Sequence, residues 1–218
     1  MNSSSDYIQG FSADAREILP ERAGELFFRS FPGAIECFRG ELLGTGCLFG
    51  VSKKGLAAIT PFVGKTFPDF LEGLPLFPFL EEANRAVSGG GGFAGQIDHD
   101  RWSPFLKKVL GIVATIPMGE TRTYGEISSI MQMQGGARAV GRALAANPLP
   151  LLFPCHRVVR SSGKGSGGYT LMGKQEPELK ELLLEKERSM RWAGPLWDNT
   201  CQGRTVSPRI EKSRPVQS

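Results

Sequence analysis

The first half of the chain alternates short apolar runs with glycine-containing turns. Runs over 35–38, 42–43, 46–51 and 56–59 are separated by turn residues, and the last two are joined by Ser-Lys-Lys-Gly. Apolar runs of this length, bounded in this way, predict β-strands. Residues 79–87 have the spacing of a helix that packs on them. The pattern therefore predicts a small antiparallel sheet with one covering helix. Further upstream it predicts a helix over 13–19 and a strand over 26–28.

From residue 103 onward the apolar positions recur at helical spacing. Ser103-Pro104 predicts a helix start, because serine is a common N-cap and proline is favoured at the first helical position. Thr123 predicts the cap of a second helix over 124–130, and a third covers 137–146. Two short helices joined by a tight turn with glycine predict a helix-turn-helix. A last helix is predicted over 178–188.

A run of four glycines after Ser88 separates these two halves and predicts a domain boundary. We expect a supporting α/β domain over 1–92, a second domain over 93–190, and a disordered tail over 191–218, which is rich in Arg, Pro, Ser and Gly. The predicted fold class is α+β, a small N-terminal antiparallel-sheet domain followed by a mostly helical C-terminal domain.

The composition changes this picture little. The 218 residues are 40% hydrophobic and 22% charged, as in an ordinary globular protein. No apolar run approaches the roughly 20 residues that span a bilayer, and residues 1–6 lack the pattern of a signal peptide. The four cysteines are widely spaced without a Cys-x-x-Cys pair. We therefore expect no membrane partner, no metal site, and a cytoplasmic location, or a nuclear one in a eukaryote.

Positive charge is concentrated in the second half. Residues 101–175 contain 10 basic and 2 acidic side chains, whereas residues 1–95 contain 8 and 11. A concentrated basic segment is typical of nucleic-acid binders, although other proteins have one too. The third helix consists of small residues with two arginines, Arg138 and Arg142. Either alanine is there as the best helix former, or small side chains let the helix approach a DNA groove closely.

One apolar stretch, 147–159, contains a candidate nucleophile. Pro154 fixes φ and removes a backbone donor, so Cys155 is predicted to lie at a bend rather than inside a strand ladder. His156 and Arg157 are predicted to favour the thiolate, which is the nucleophilic form of cysteine. The alternative is a buried structural cysteine, since free cysteine mostly behaves as a small hydrophobe.

Three other features could contribute to a site. Tyr124 begins a helix beside the small-residue helix, and its phenol could donate a proton there. Either Glu185 or Glu187 could orient the His156 imidazole, completing a nucleophile–base–orienter set, or both could be solvated surface charges. The glycine-rich loop 161–170 is either a connector or a wall that approaches a ligand; it does not have the pattern of a nucleotide P-loop.

The motif Pro-Cys-His-Arg-Val-Val at 154–159 resembles the active-site signature of the O6-alkylguanine-DNA alkyltransferases, the methylated-DNA–protein-cysteine methyltransferases. Ile-Pro-Met-Gly-Glu-Thr-Arg-Thr-Tyr-Gly-Glu-Ile at 116–127, Ala-Arg-Ala-Val-Gly at 137–141 and Asn-Pro at 147–148 fall in the family's order and spacing. The resemblance covers about residues 97–187.

The resemblance implies a set of catalytic roles. Cys155 would accept the alkyl group from guanine O6, His156 would act as a base through water, and Glu187 would hold His156. Tyr124 would protonate the leaving guanine, and Asn147 would tie the recognition helix to the cysteine segment. The transfer to sulfur would happen once and would need no metal or cofactor.

The resemblance also implies an RNase H-like N-terminal domain and a helix-turn-helix that binds the DNA minor groove. Arg138 would fill the gap left by a flipped nucleotide. The candidate DNA-binding residues are Thr123, Ala137, Arg138, Ala139, Gly141 and Arg142. The candidate substrate-pocket residues are Pro150, Val158, Ser161, Tyr169 and Thr170.

The sequence therefore predicts single-turnover repair of O6-alkylguanine, with O4-alkylthymine as a further candidate substrate, by a monomer acting on double-stranded DNA. One alternative is a lesion-binding protein of the alkyltransferase-like kind, but those lack the cysteine. Another is a helix-turn-helix regulator, for which the chain offers few base-reading side chains. A cysteine hydrolase is the weakest alternative, because nothing marks an oxyanion hole.

Overall fold

The computed structural model describes residues 36–62, 73–161, 168–171 and 174–192. The helix predicted over 13–19, the strand predicted over 26–28 and the predicted tail beyond residue 192 lie outside the described residues.

An antiparallel sheet of three strands forms the N-terminal part of the described chain. The strands are β1 (Glu36–Leu42), β2 (Thr45–Ser52) and β3 (Gly55–Pro61), paired in that order. The apolar runs predicted separately at 35–38 and 42–43 form one strand and one turn. The intervening polar residues pair with β2 through their backbone, which does not depend on side-chain polarity.

Two turns of this sheet need unusual backbone angles. Leu43 and Gly44, between β1 and β2, have φ of 51° and 62°, as a two-residue hairpin turn with matching twist requires. Gly55 begins β3 at φ 126°, and a Cβ there would lie 2.3 Å from the carbonyl oxygen of Gln96. The missing side chain allows segment 96–98 to pair alongside Leu56 through two backbone hydrogen bonds.

Five helices are described: α1 (Leu80–Val87), α2 (Pro104–Val113), α3 (Tyr124–Ile130), α4 (Ala137–Ala145) and α5 (Pro177–Trp192). The predicted helix starts are confirmed. Ser103 accepts a hydrogen bond from the Leu106 amide, and Thr123 forms a reciprocal capping box with Glu126. The last helix continues beyond its predicted end at residue 188. Short strands complete the set: β4 (Arg122–Thr123) pairs with β5 (Val158–Val159), and β6 (Thr170–Leu171) with β7 (Lys174–Gln175).

The sheet and the helices share a continuous apolar core. Buried side chains from β1–β3 and from all five helices belong to the same cluster, and Phe49 stacks on Phe77 at 4.4 Å. The architecture is therefore mixed α/β, a small antiparallel sheet followed by several helices, as the sequence predicts. None of the described helices is long and apolar enough to cross a membrane.

Candidate active site

Cys155 lies in a tight turn and not in a strand. Cys155–Arg157 forms a single 3₁₀ turn that follows Pro154, and the Cys155 amide donates to the Phe153 carbonyl at 2.7 Å. Only Val158–Val159 continues as a strand. The predicted bend at Cys155 is thus confirmed, because the proline prevents a regular ladder.

The thiol is buried and accepts a hydrogen bond. Cys155 is 5% exposed, and Asn147 Nδ2 donates to its Sγ at 3.2 Å and to the Phe153 carbonyl at 2.9 Å. The Oδ1 of Asn147 accepts from the Leu149 amide. Asn147 therefore ties the chain just after α4 to the cysteine turn. Burial raises the pKa of the Cys155 thiol, and the Asn147 hydrogen bond and the charge of Lys180 oppose that rise.

The prediction that His156 and Arg157 favour the thiolate is wrong. Burial lowers the pKa of His156, so the imidazole is neutral and supplies no positive charge. The guanidinium of Arg157 binds Glu187 and the carbonyls of Ile116 and Val87. Successive side chains of a tight turn point in different directions, so neighbours of the cysteine in sequence need not face its sulfur.

A buried carboxylate holds both of these side chains. Glu187 is fully buried, with Oε1 2.8 Å from His156 Nε2 and 2.8 Å from Arg157 Nη2. Its Oε2 accepts from the Gly119 amide at 3.0 Å. Burial alone would raise the pKa of Glu187, but the hydrogen bonds from His156 and Arg157 outweigh it and lower the pKa to about 2. Glu185, the alternative in the sequence, is exposed.

Those contacts occupy only one nitrogen of the imidazole. The other, His156 Nδ1, is buried and has no hydrogen-bond partner among the described residues. A neutral imidazole that donates from Nε2 to a carboxylate presents Nδ1 as a proton acceptor. His156 is therefore set up to act as a base.

A buried lysine that was not predicted from the sequence lies beside this site. Lys180 is fully buried, and its Nζ donates to the Val158 carbonyl at 2.7 Å and lies 3.5 Å from the Tyr124 hydroxyl. Burial lowers its pKa to about 8, and the charge of Lys180 acts on Cys155. The sequence contained one indication that Lys180 is buried, because helical spacing places it on the same face as Leu183, Leu184 and Glu187.

The thiol opens on a cavity of about 30 Å³, enough room for a water molecule or a methyl group. Its described lining is Tyr124, Gly141, Leu144, Ala145, Cys155, Gly168, Tyr169 and Thr170. Of the predicted pocket residues, Tyr169 and Thr170 line it. Within the described part of the chain Pro150, Val158 and Ser161 are not among the lining residues; the first two are buried and Ser161 is exposed.

Two tyrosines face this cavity. The Tyr124 hydroxyl donates to the Gly168 carbonyl at 3.3 Å, and burial followed by the influence of Cys155 raises its pKa. Tyr169 is buried, and burial raises its pKa well above the ordinary value. Both phenols are therefore protonated at neutral pH. Tyr124 can act as a proton or hydrogen-bond donor at the cavity.

Some of the predicted DNA-binding residues of α4 are exposed, and the others are partly buried. Arg138 and Arg142 are exposed, whereas Ala137, Ala139 and Gly141 are partly buried. A Cβ on Gly141 would lie 3.8 Å from the Tyr124 ring, so Gly141 is on the cavity side. Thr123, the remaining predicted contact, is partly buried and uses its hydroxyl in the helix cap.

No group of three or more His, Cys, Asp or Glu side chains that could hold a metal ion occurs among the described residues. The site therefore consists of a cavity-lining thiol, an amide donor, a buried ammonium, and a neutral imidazole held by an ionised carboxylate. This arrangement is typical of the class of proteins that use a cysteine nucleophile.

Comparisons with known proteins narrow that class. Residues 104–189 match the family model described as the DNA-binding domain of 6-O-methylguanine DNA methyltransferase. Methylated-DNA–protein-cysteine methyltransferase of Mycolicibacterium paratuberculosis is 46% identical over 120 residues, 49% of this chain and 68% of the relative. The methylated-DNA–protein-cysteine methyltransferase of Methanosarcina acetivorans is 36% identical over 117 residues, which are 51% of this chain and 70% of the relative.

A solved structure is similar over more of the chain. The crystal structure of Mycobacterium tuberculosis OGT in complex with DNA matches with a TM-score of 0.54 at 28% identity, covering 71% of this chain and 94% of that one. The chain spans about half the length of other relatives. For the Methanocaldococcus jannaschii protein the match covers 46% of the relative's length. The chain belongs to the methylated-DNA–protein-cysteine methyltransferase family.

Proposed function

We propose that this protein repairs O6-alkylguanine in double-stranded DNA by transferring the alkyl group once to Cys155. The observation that carries the proposal is a buried thiol that lines a cavity, accepts a hydrogen bond from Asn147, and lies in the same turn as a neutral His156 bound to an ionised Glu187. The family of the chain agrees with this chemistry.

The proposed reaction is a displacement at the alkyl carbon. Cys155 Sγ forms the new carbon–sulfur bond as the bond from that carbon to guanine O6 breaks. The thiol proton passes to His156 Nδ1 through water, and Glu187 stabilises the imidazolium that results. The leaving guanine takes a proton from the Tyr124 hydroxyl, and the proton held by His156 returns through water to the resulting phenolate, so that both groups end in their starting states. No electrons are exchanged with a third partner, so the step needs neither a metal nor a redox cofactor. The product is a thioether, which accounts for a single turnover.

We infer that α3 and α4 act as a helix-turn-helix with α4 in the minor groove. The small residues of α4 allow a close approach, and the exposed Arg138 is placed to occupy the gap left by a flipped nucleotide. Unstacking a base costs a few kcal/mol, which contacts in the pocket must offset. The structural similarity to an OGT solved with DNA supports this role.

In this proposal the protein acts as a monomer, with the described sheet as part of an RNase H-like supporting domain over 1–92. The domain over 93–190 would carry both DNA binding and the alkyl acceptor, within the cell. O4-alkylthymine is a second proposed substrate, since its alkyl group is also attached to an exocyclic oxygen.

The deciding experiment is peptide mass spectrometry after incubation with a duplex that contains O6-methylguanine. We expect one methyl group on the peptide that carries Cys155, and none in Cys155→Ala. An unmodified Cys155 in a protein that still binds the lesion selectively would instead indicate a lesion-binding protein. Neither modification nor lesion preference would exclude both functions.

A further inference from the structure

Helix α5 is attached to the N-terminal sheet by a lysine next to the carboxylate of the site. Lys186 Nζ donates to the carbonyl of Gly44 at 2.7 Å, to the carbonyl of Leu43 at 3.3 Å, and to Thr45 Oγ1 at 3.2 Å. All three acceptors are uncharged, and they belong to the tight turn between β1 and β2. An ammonium has three donors, so the turn uses all of them.

The turn that receives Lys186 has a well-defined shape. Leu43 and Thr45 are buried, at 4% and 1% exposure, and the left-handed angles of Leu43 and Gly44 direct two carbonyls to one side. Buried flanking residues and a two-residue turn leave these oxygens little freedom. The hairpin therefore offers α5 a rigid anchor.

Lys186 and Glu187 are adjacent on α5 and point to different structures. A helix turns about 100° per residue, so the two side chains diverge. Lys186 reaches the hairpin, and Glu187 reaches His156, Arg157 and the Gly119 amide. A rotation or shift of α5 that loosens one set of contacts must disturb the other.

We propose that Lys186 is a positioning residue for alkyl transfer, through which the N-terminal sheet sets the position of Glu187 and thereby of His156. This inference rests on the proposed function, and it assigns the sheet a part in the reaction. Arg157 makes a parallel connection, because its Nη2 binds both Glu187 and the carbonyl of Val87 at the end of α1.

The test compares Lys186→Met with a matched control, Lys53→Met. Methionine keeps the length and helix propensity of lysine but removes the ammonium. Lys53 is an exposed lysine in the other hairpin turn of the same sheet. We expect K186M to lower the single-turnover transfer rate about tenfold with unchanged affinity for lesion DNA, because small displacements of catalytic groups reduce rate strongly. K53M should behave as the wild type.

The double variant K186M/E187Q separates positioning from general destabilisation. If Lys186 acts through Glu187, K186M has no further effect on the rate once Glu187 is replaced. A loss by the same factor in both backgrounds, or wild-type transfer by K186M, would overturn the proposal.

A second measurement does not depend on activity. The His156 Nε2–H proton resonance should shift in K186M and stay in place in K53M, because the hydrogen bond to Glu187 changes only in the first. An unchanged resonance in K186M would overturn the proposal. If the wild type transfers no methyl group, the proposed function fails, while this measurement still tests the positioning.

Discussion

Two buried cysteines, Cys47 in the sheet and Cys155 beside the cavity, are surrounded in different ways. Cys47 is 0% exposed and Cys155 5%, and burial raises the pKa of both, that of Cys47 to about 12. Cys47 Sγ donates its proton to the Thr45 carbonyl at 3.2 Å, which stabilises the thiol. Cys155 Sγ accepts from Asn147, which stabilises the thiolate. A backbone hydrogen bond from Leu42 also opposes the raised pKa of Cys47, so the bond to the Thr45 carbonyl and the side-chain donor Asn147 distinguish the two sulfurs.

The surroundings add to this difference. The charge of the buried Lys180 acts on Cys155, and a cavity lies in front of the sulfur. Cys47 is in the middle of a paired strand, opposite Gly40 and Pro61. Burial alone thus does not decide whether a thiol is reactive. A side-chain donor directed at the sulfur and space for a reactant do, whereas an ammonium acts on both thiols, Lys180 on Cys155 and Lys186 on Cys47.

The largest expected effect is the difference in reactivity between Cys47 and Cys155. It is measured by labelling the native protein with iodoacetamide and following each cysteine-containing peptide. We expect Cys155 to be labelled faster than Cys47 by about three orders of magnitude, because Cys155 lines a cavity whereas Cys47 lies inside the paired sheet and is reached only by unfolding, which costs at least about 5 kcal/mol. Cys47 should react readily only after denaturation. Similar native rates for the two peptides would contradict the distinction.

Replacing the carboxylate of the site should have the next largest effect. Glu187→Gln removes the negative charge that stabilises the His156 imidazolium, so the transfer rate should fall by about 10² to 10⁴, the usual contribution of general acid–base groups. It also leaves the Arg157 guanidinium buried without its carboxylate, which costs about 3–5 kcal/mol of stability. Rates are therefore measured below the melting transition. The exposed neighbour provides the control, and a Glu185→Gln protein that loses as much activity would contradict this assignment.

Removing the ammonium near the sulfur should have a smaller effect. In Lys180→Met the pKa of Cys155 should rise, because an opposite charge nearby no longer favours the thiolate. The pH dependence of the iodoacetamide rate at Cys155 measures this without DNA. Lys108→Met, at an exposed position on α2, should leave that profile unchanged. An unshifted profile in K180M would show that Lys180 does not act on the thiol.

The smallest expected effect is on acid stability. The pKa of Glu187 is about 2 in the folded protein against an ordinary value of 4.5. Between these values the unfolded chain binds more protons, so the free energy of unfolding falls as pH decreases through this window. The loss is on the order of 3 kcal/mol at most. Urea denaturation at several pH values measures it, and E187Q should remove this component. A wild-type curve without the decrease would contradict the low pKa.

The sequence predicted those parts of the fold that depend on local pattern. Helix starts at Ser103 and Thr123 follow from capping chemistry within a few residues, and the bend at Cys155 follows from Pro154. The residues of the site were predicted from the family resemblance and not from local pattern alone. Its choice of Glu187 for His156 agrees with the observed contact.

The directions of side chains in irregular segments could not be predicted. No periodicity relates His156 and Arg157 to the sulfur. A contact of His156 with the last helix was predicted, but no local pattern indicates that Arg157 turns toward the same helix, 30 residues away. Lys186 looks like an ordinary helix-surface lysine in the sequence, and the spacing that places Lys180 on the apolar face of α5 does not reveal its partners. Their roles depend on contacts with Val158 and with the Leu43–Gly44 turn, which are remote along the chain.

The connections of Arg157 have a consequence for the order of assembly. Its guanidinium joins Val87, Ile116 and Glu187, at sequence separations of 70, 41 and 30 residues. Such remote contacts form late in folding, because their loop-closure entropy must be overcome first. On the ribosome, a nascent chain that has not yet released α5 has Cys155 but neither Glu187 nor Lys180. The site around Cys155 is therefore completed only when the last helix docks, so an unfinished chain lacks the groups proposed to favour alkyl transfer to this thiol.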